Sequence, residues 1–367
     1  MLLIRWFGGR SKQLNILLLM DKKILQDVVL IRLVLIIILV LYHAFAIYNG
    51  AWSMPDGIDQ VRPYWWIATI SYSFMLETFV FLSGYVFGFQ IRERYKGEIS
   101  FTASVVTKAK RLLLPNMVFS IIYMCLFASN EDISFLEQVY NIINGVGHMW
   151  FLPMLFWCFL ILYFLERLHV SSKMILCLSL LASVLCIVSL PLRLSSTLYY
   201  FLFFYLGYYI QRYNLCLNSR FNLKSVIYLG LSYILILIVM TLIFNSDLIL
   251  ALSQGSISHK IAYHILKRVS TILYSLFGVS FLYVLINYLL KSHSVVLPKT
   301  LLKFSSYCFG VYLFQQFILK VLIYNDWMVL NMGTYWVPWV SFYITLFCSL
   351  VLSWAFVKTR IGKFLIG

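Results

Sequence analysis

Apolar residues in this chain come in long unbroken stretches rather than in amphipathic alternation. Runs of about 17 to 25 residues, the length an α-helix needs to cross a bilayer, recur from Val28 to Val357 with short polar or basic joints between them. Ten can be delimited, at about 28–49, 67–90, 113–129, 149–165, 174–191, 196–211, 226–245, 269–290, 304–324 and 337–357. The pattern predicts an all-α polytopic integral membrane protein with about ten transmembrane helices. Three parts follow: a juxtamembrane segment over 1–27, a membrane domain over 28–357 and a short tail over 358–367. Within the first part only Leu14 to Met20 is apolar, between basic residues, which reads as a juxtamembrane helix before an uncleaved anchor.

Composition strengthens this picture. The chain is 62% hydrophobic and 11% charged, where a soluble domain carries about 25% charged residues; the mean hydropathy is +0.89. Charge placement then sets orientation. With a cytoplasmic N-terminus and alternating helices, 22 of the 29 Lys and Arg fall in inner segments and five in outer joints. That asymmetry follows the positive-inside rule and predicts both termini in the cytoplasm, in a multi-pass protein of the inner (plasma) membrane. The net charge of +16 is then a matter of topology rather than of nucleic-acid binding. The seven cysteines lie in apolar helices or in the inner Cys216 joint, without zinc-site spacing, and read as packing residues. No metal site and no bound cofactor is predicted.

Two outer joints and one helix stand out. Ser134-Phe-Leu-Glu137 has capping-box form, and Ile133, Leu136, Val139, Tyr140 and Ile143 follow helical spacing. They predict a short amphipathic surface helix broken by Gly145 and Gly147. The joint 246–268 carries His259, His264, Lys260, Lys267 and Arg268; histidines five apart share a helix face poorly, which argues against a metal there. The aromatic stretch Tyr199 to Tyr209 predicts a helix with interfacial tyrosines.

Candidate chemistry begins in the first stretch. Arg32 and His43 are eleven residues apart, about three helical turns, so they share a face and lie roughly 16 Å apart along it. Ionisable groups inside a spanning helix mark functional sites. Glu77 in the second stretch is placed about ten residues from its outer end, near His43 in depth. A Glu–His pair would fix the imidazole tautomer and raise its basicity, as a general base requires. Ser83-Gly84 lets helices approach closely. In the following inner joint Lys108, Lys110 and Arg111 precede Pro115, and Lys108 and Arg111 would share a face able to grip a phosphorylated ligand. Gly147-His148-Met-Trp150 opens the fourth stretch; it reads as an interfacial anchor or as the wall of an acceptor pocket, because tryptophan faces stack on sugars.

Taken in order, five of these features resemble the acyltransferase-3 family of integral membrane O-acyltransferases. They are Arg32-x10-His43, Phe81-Leu-Ser-Gly-Tyr85, Lys108-Ala-Lys-Arg111, His148-Met-Trp-Phe-Leu152 and Ser306-Tyr-Cys-Phe-Gly-Val-Tyr-Leu-Phe314. The resemblance spans about residues 25 to 357. Two departures stand out. Gln315-Gln316 occupies a place where many relatives carry a histidine, and Lys108 lacks the bidentate fork of an arginine. The resemblance implies an O-acyltransferase, acetyl in the first instance, that uses cytoplasmic acyl-CoA as co-substrate and a cell-envelope or exported carbohydrate as acceptor. It places the acyl donor against Arg32, Lys108, Lys110 and Arg111, the catalytic pair at His43 and Glu77, and the acceptor pocket at His148 and Trp150. The basic outer joint would then suit an anionic acceptor. Two alternatives fit the same residues: a transporter or flippase of a lipid-linked glycan, and a membrane acyltransferase with a lipid or protein acceptor.

Overall fold

A computed structural model describes residues 22–94, 101–127, 134–186, 188–215, 221–292 and 297–366. The predicted helix over Leu14–Met20, and Lys96, Ile133 and Cys216, lie outside the described residues. Every regular element among the described residues is helical. In chain order the helices are α1 (Lys22–Phe45), α2 (Arg62–Phe89), α3 (Phe101–Phe127), α4 (Phe135–Asn144), α5 (Phe151–Arg167), α6 (Ser172–Leu185) and α7 (Leu194–Arg212). They continue with α8 (Leu223–Phe244), α9 (Asp247–Gln254), α10 (Ile257–Ser292), α11 (Lys299–Ser305), α12 (Cys308–Ile323), α13 (Asp326–Lys358) and α14 (Arg360–Leu365).

Each of the ten apolar stretches overlaps one of these helices. Seven helices are long and apolar enough to cross a membrane, and eight if α11 and α12, bent by 57° at their junction, form one span. The remaining two stretches are α6, with 14 residues, and α7, with 19. Fourteen residues rise only about 21 Å, less than the roughly 30 Å hydrocarbon core. In α7 five tyrosines lower the hydropathy.

Four of those five tyrosines face the core of the bundle. Tyr199, Tyr200, Tyr205 and Tyr208 are buried, because α7 runs through the middle of the bundle against α2. The contact depends on Gly84 and Gly207. A Cβ on Gly84 would overlap the Phe204 carbonyl, and one on Gly207 the Phe81 carbonyl. The two backbones therefore touch, and the Ser83-Gly84 step has the packing role its small residues predict.

Three local expectations are corrected. The joint 246–268 is mostly helical, formed by α9 and the first turns of α10. Pro115 lies inside α3 rather than at its start, so the carbonyl one turn before it loses its helical donor. Helix α2 begins at Arg62, with Pro63 in its first turn, five residues before the apolar stretch. The amphipathic surface helix forms as predicted: Ser134 caps α4, its hydroxyl accepting from the Glu137 N–H at 3.3 Å.

Candidate active site

A cavity of about 340 Å³ opens at the end of the bundle where α1 finishes. His43, Trp52, His148, Trp150, Gln316 and Lys320 are among its lining residues. They come from α1, the joint after it, the turn between α4 and α5, and α12. Sequence separation hides this grouping; packing creates it.

His43 occupies the last turn of α1 and is only 8% exposed. Its ring stacks on Trp52, with centroids 5.6 Å apart and planes at 27°. Nδ1 is buried without a hydrogen-bond partner. Trp52 is held by a tight turn in which the Ala51 and Trp52 N–H groups both donate to the Ala46 carbonyl, at 3.1 and 3.2 Å. The same joint is tied to α13 where that helix breaks at Gly333 (φ 64°). Pro338 has no N–H to give the Thr334 carbonyl four residues before it, and the Tyr48 hydroxyl donates to that carbonyl at 2.7 Å.

His148 is fixed far more tightly. Gly145 and Gly147 adopt φ of 82° and 57°, the left-handed region that favours glycine. A Cβ on Gly147 would also lie 2.7 Å from the Tyr123 ring and 3.0 Å from Gln316 Oε1. Gln316 Oε1 accepts from the His148 backbone N–H at 3.2 Å and lies 2.8 Å from its Nδ1. The Leu313 carbonyl is 3.1 Å from Nε2, and the Tyr312 hydroxyl donates to the His148 carbonyl at 2.6 Å. With both ring nitrogens engaged, His148 is a rigid wall of the cavity. The turn is supported from α4 as well. That helix ends on carbonyls that need donors; Asn116 donates to those of Ile142 and Ile143, and Arg193 to those of Asn144 and Gly145.

Near the middle of α1, about 16 Å below His43 by helix rise, Arg32 lies within electrostatic reach of Arg111 on α3 and of the Cys308 thiol at the start of α12. Arg32, Lys110 and Arg111 have no hydrogen-bond or ion-pair partner among the described residues. Lys110 and Arg111 are exposed. Lys108 is directed elsewhere. Its ammonium lies 3.9 Å from the centroid of Phe159 and 5.1 Å from that of Phe87, a cation–π seat, with Arg111 still in electrostatic reach.

The expected pairing of Glu77 with His43 is not found. Glu77 Oε1 accepts from the Tyr199 hydroxyl at 3.1 Å, and Oε2 is buried without a partner. The register explains why. Tyr42 of α1 stacks on Tyr72 of α2 at 4.7 Å, so Glu77, five residues further along, is roughly 7.5 Å deeper and turned about 140° around the helix. It faces α7 instead of α1.

The sequence reading did not place Trp52, Gln316 or Lys320 in this cavity. Gln316 and Lys320 are four apart on α12 and share a face, which is the signal that could have joined them. Gln315, their neighbour, is fully buried with neither amide atom hydrogen bonded.

Fold and site together define a multi-pass helical membrane protein with a histidine-bearing cavity at the end of its first helix and, near the middle of that helix, an arginine close to Arg111 with no ion-pair partner among the described residues. The acyltransferase-3 model, described as an acyltransferase domain, matches residues 26–358, nearly the whole chain, and the chain belongs to that family. It is a membrane acyltransferase. No curated protein and no solved structure matches it.

Proposed function

We propose that this acyltransferase moves an acyl group, acetyl in the simplest case, from cytoplasmic acyl-CoA to a hydroxyl of a cell-envelope or exported carbohydrate. The observation that carries the reading is the division of α1: His43 in an aromatic-walled cavity, Arg32 near Arg111 with no counter-charge among the described residues. Guanidinium groups match phosphate oxygens bidentately, so the nucleotide end of the donor lies against Arg32, Lys110 and Arg111. The pantetheine arm spans the interval to His43. There the imidazole takes the proton of the acceptor hydroxyl, the hydroxyl oxygen attacks the thioester carbonyl, and the C–S bond breaks. The CoA thiolate leaves with that proton, and the imidazole is neutral again. Trp52 and Trp150 offer flat faces for a sugar.

The test is acetyl-CoA turnover by the purified protein in lipid nanodiscs, read as CoA thiol release with and without a crude glycolipid extract. Release stimulated by the extract, and abolished in His43→Ala, is the expected result. Labelled acetyl-CoA that neither binds nor turns over would overturn the reading.

A further inference from the structure

Among the described residues the cavity wall is largely aromatic and carries one cationic side chain, Lys320, and no Asp or Glu. Its ammonium lies 5.0 Å from the ring centroid of Tyr123 and 5.2 Å from that of Phe127. Among the described residues it has no hydrogen-bond or ion-pair partner. Two ring faces orient a cation and offset part of its desolvation, yet they leave its three N–H donors unused. The described residues supply no counter-anion at this place, so the ammonium is a seat for an anion that a ligand brings.

The surroundings define what kind of anion fits. Tyr42, Trp52, Tyr72, Trp150 and Tyr324 present rings to the same space, suited to the C–H faces of a pyranose. Gln316 Oε1, one turn from Lys320, is already engaged by His148, and Lys320 is the one cationic group of the described lining that can select an acidic substituent. We propose that the acceptor is an acidic carbohydrate, a sugar bearing a carboxylate or phosphate group, and that Lys320 Nζ binds this group. The inference rests on the acyl-transfer reading for the identity of the acceptor, but the anion site itself does not depend on transfer.

Binding of acidic and matching neutral methyl glycosides to the nanodisc protein tests this without acyl-CoA. Methyl glucuronide and methyl galacturonide would be set against methyl glucoside and galactoside, with sugar 6-phosphates as a separate arm to tell carboxylate from phosphate. Wild type is expected to bind an acidic member about tenfold or more tightly than its neutral partner. Added salt should weaken only the acidic ligand. Lys320→Met should erase the preference and leave neutral binding unchanged, while Lys320→Arg keeps it. Equal binding of acidic and neutral ligands by wild type would overturn the proposal, as would equal weakening of both by Lys320→Met. The salt response of wild type decides the matter if Lys320→Met does not fold. Acidic binding that needs Lys320 without any acetyl-CoA turnover would remove the transfer reading alone; turnover on acidic and neutral acceptors alike would remove this inference alone.

Discussion

Two levels of α1, its last turn at His43 and its middle at Arg32, are built on opposite principles. Around His43 the wall is crowded: Trp52 stacks on the imidazole, and His148 is held at both ring nitrogens by α12. Around Arg32 the guanidinium and that of Arg111 share a neighbourhood with no partner among the described residues. A crowded, hydrogen-bonded wall fixes geometry, which a reacting centre needs. An open pair of like charges favours a polyanion that arrives and leaves. One helix thus joins a site made for position to a site made for charge.

The largest effect that sharpens this contrast is expected from His43→Ala. Removing a general base lowers transfer by about 100- to 10,000-fold, with KM for acyl-CoA little changed, in steady-state CoA release. Next come Arg32→Ala and Arg111→Ala, each raising KM for acyl-CoA about tenfold or more while leaving acceptor KM near wild type. Gln316→Leu strips the acceptor from the His148 N–H and ring. The loosened wall is expected to lower kcat/KM for the acceptor about tenfold, again in CoA release. Glu77→Gln should change transfer by less than about threefold, because the carboxylate bonds Tyr199 rather than the base. A loss as deep as that of His43→Ala would restore a catalytic role to Glu77.

What the sequence made legible was set by local periodicity. Arg32 and His43 lie on one helix, so their spacing alone placed them on one face. The capping of α4 by Ser134 and the close crossing at Gly84 are equally local signals, and both are realised. Glu77 was misplaced because hydropathy hides where a helix starts. Arg62-Pro63-Tyr64-Trp65-Trp66 is not an apolar run, yet it forms the first turn and more of α2. A five-residue error in the start changes the depth of every later side chain, and which neighbour Glu77 faces is decided by packing against α1 and α7. Gln316 and Lys320 were not legible as cavity residues for a different reason. Their role depends on how α12 packs against the turn after α4, 168 residues away for the Gln316–His148 contact, and no short pattern encodes that. The interfacial reading of the α7 tyrosines failed likewise, since aromatic residues mark an interface or a core according to their neighbours.

Equilibrium binding of labelled acetyl-CoA to nanodisc-embedded wild type, His43→Ala and Arg32→Ala, without acceptor, tests the division of α1 most directly. The account predicts that His43→Ala binds within about twofold of wild type while transferring nothing, and that Arg32→Ala binds about tenfold more weakly. Loss of donor binding in His43→Ala, or full affinity in Arg32→Ala, would contradict it.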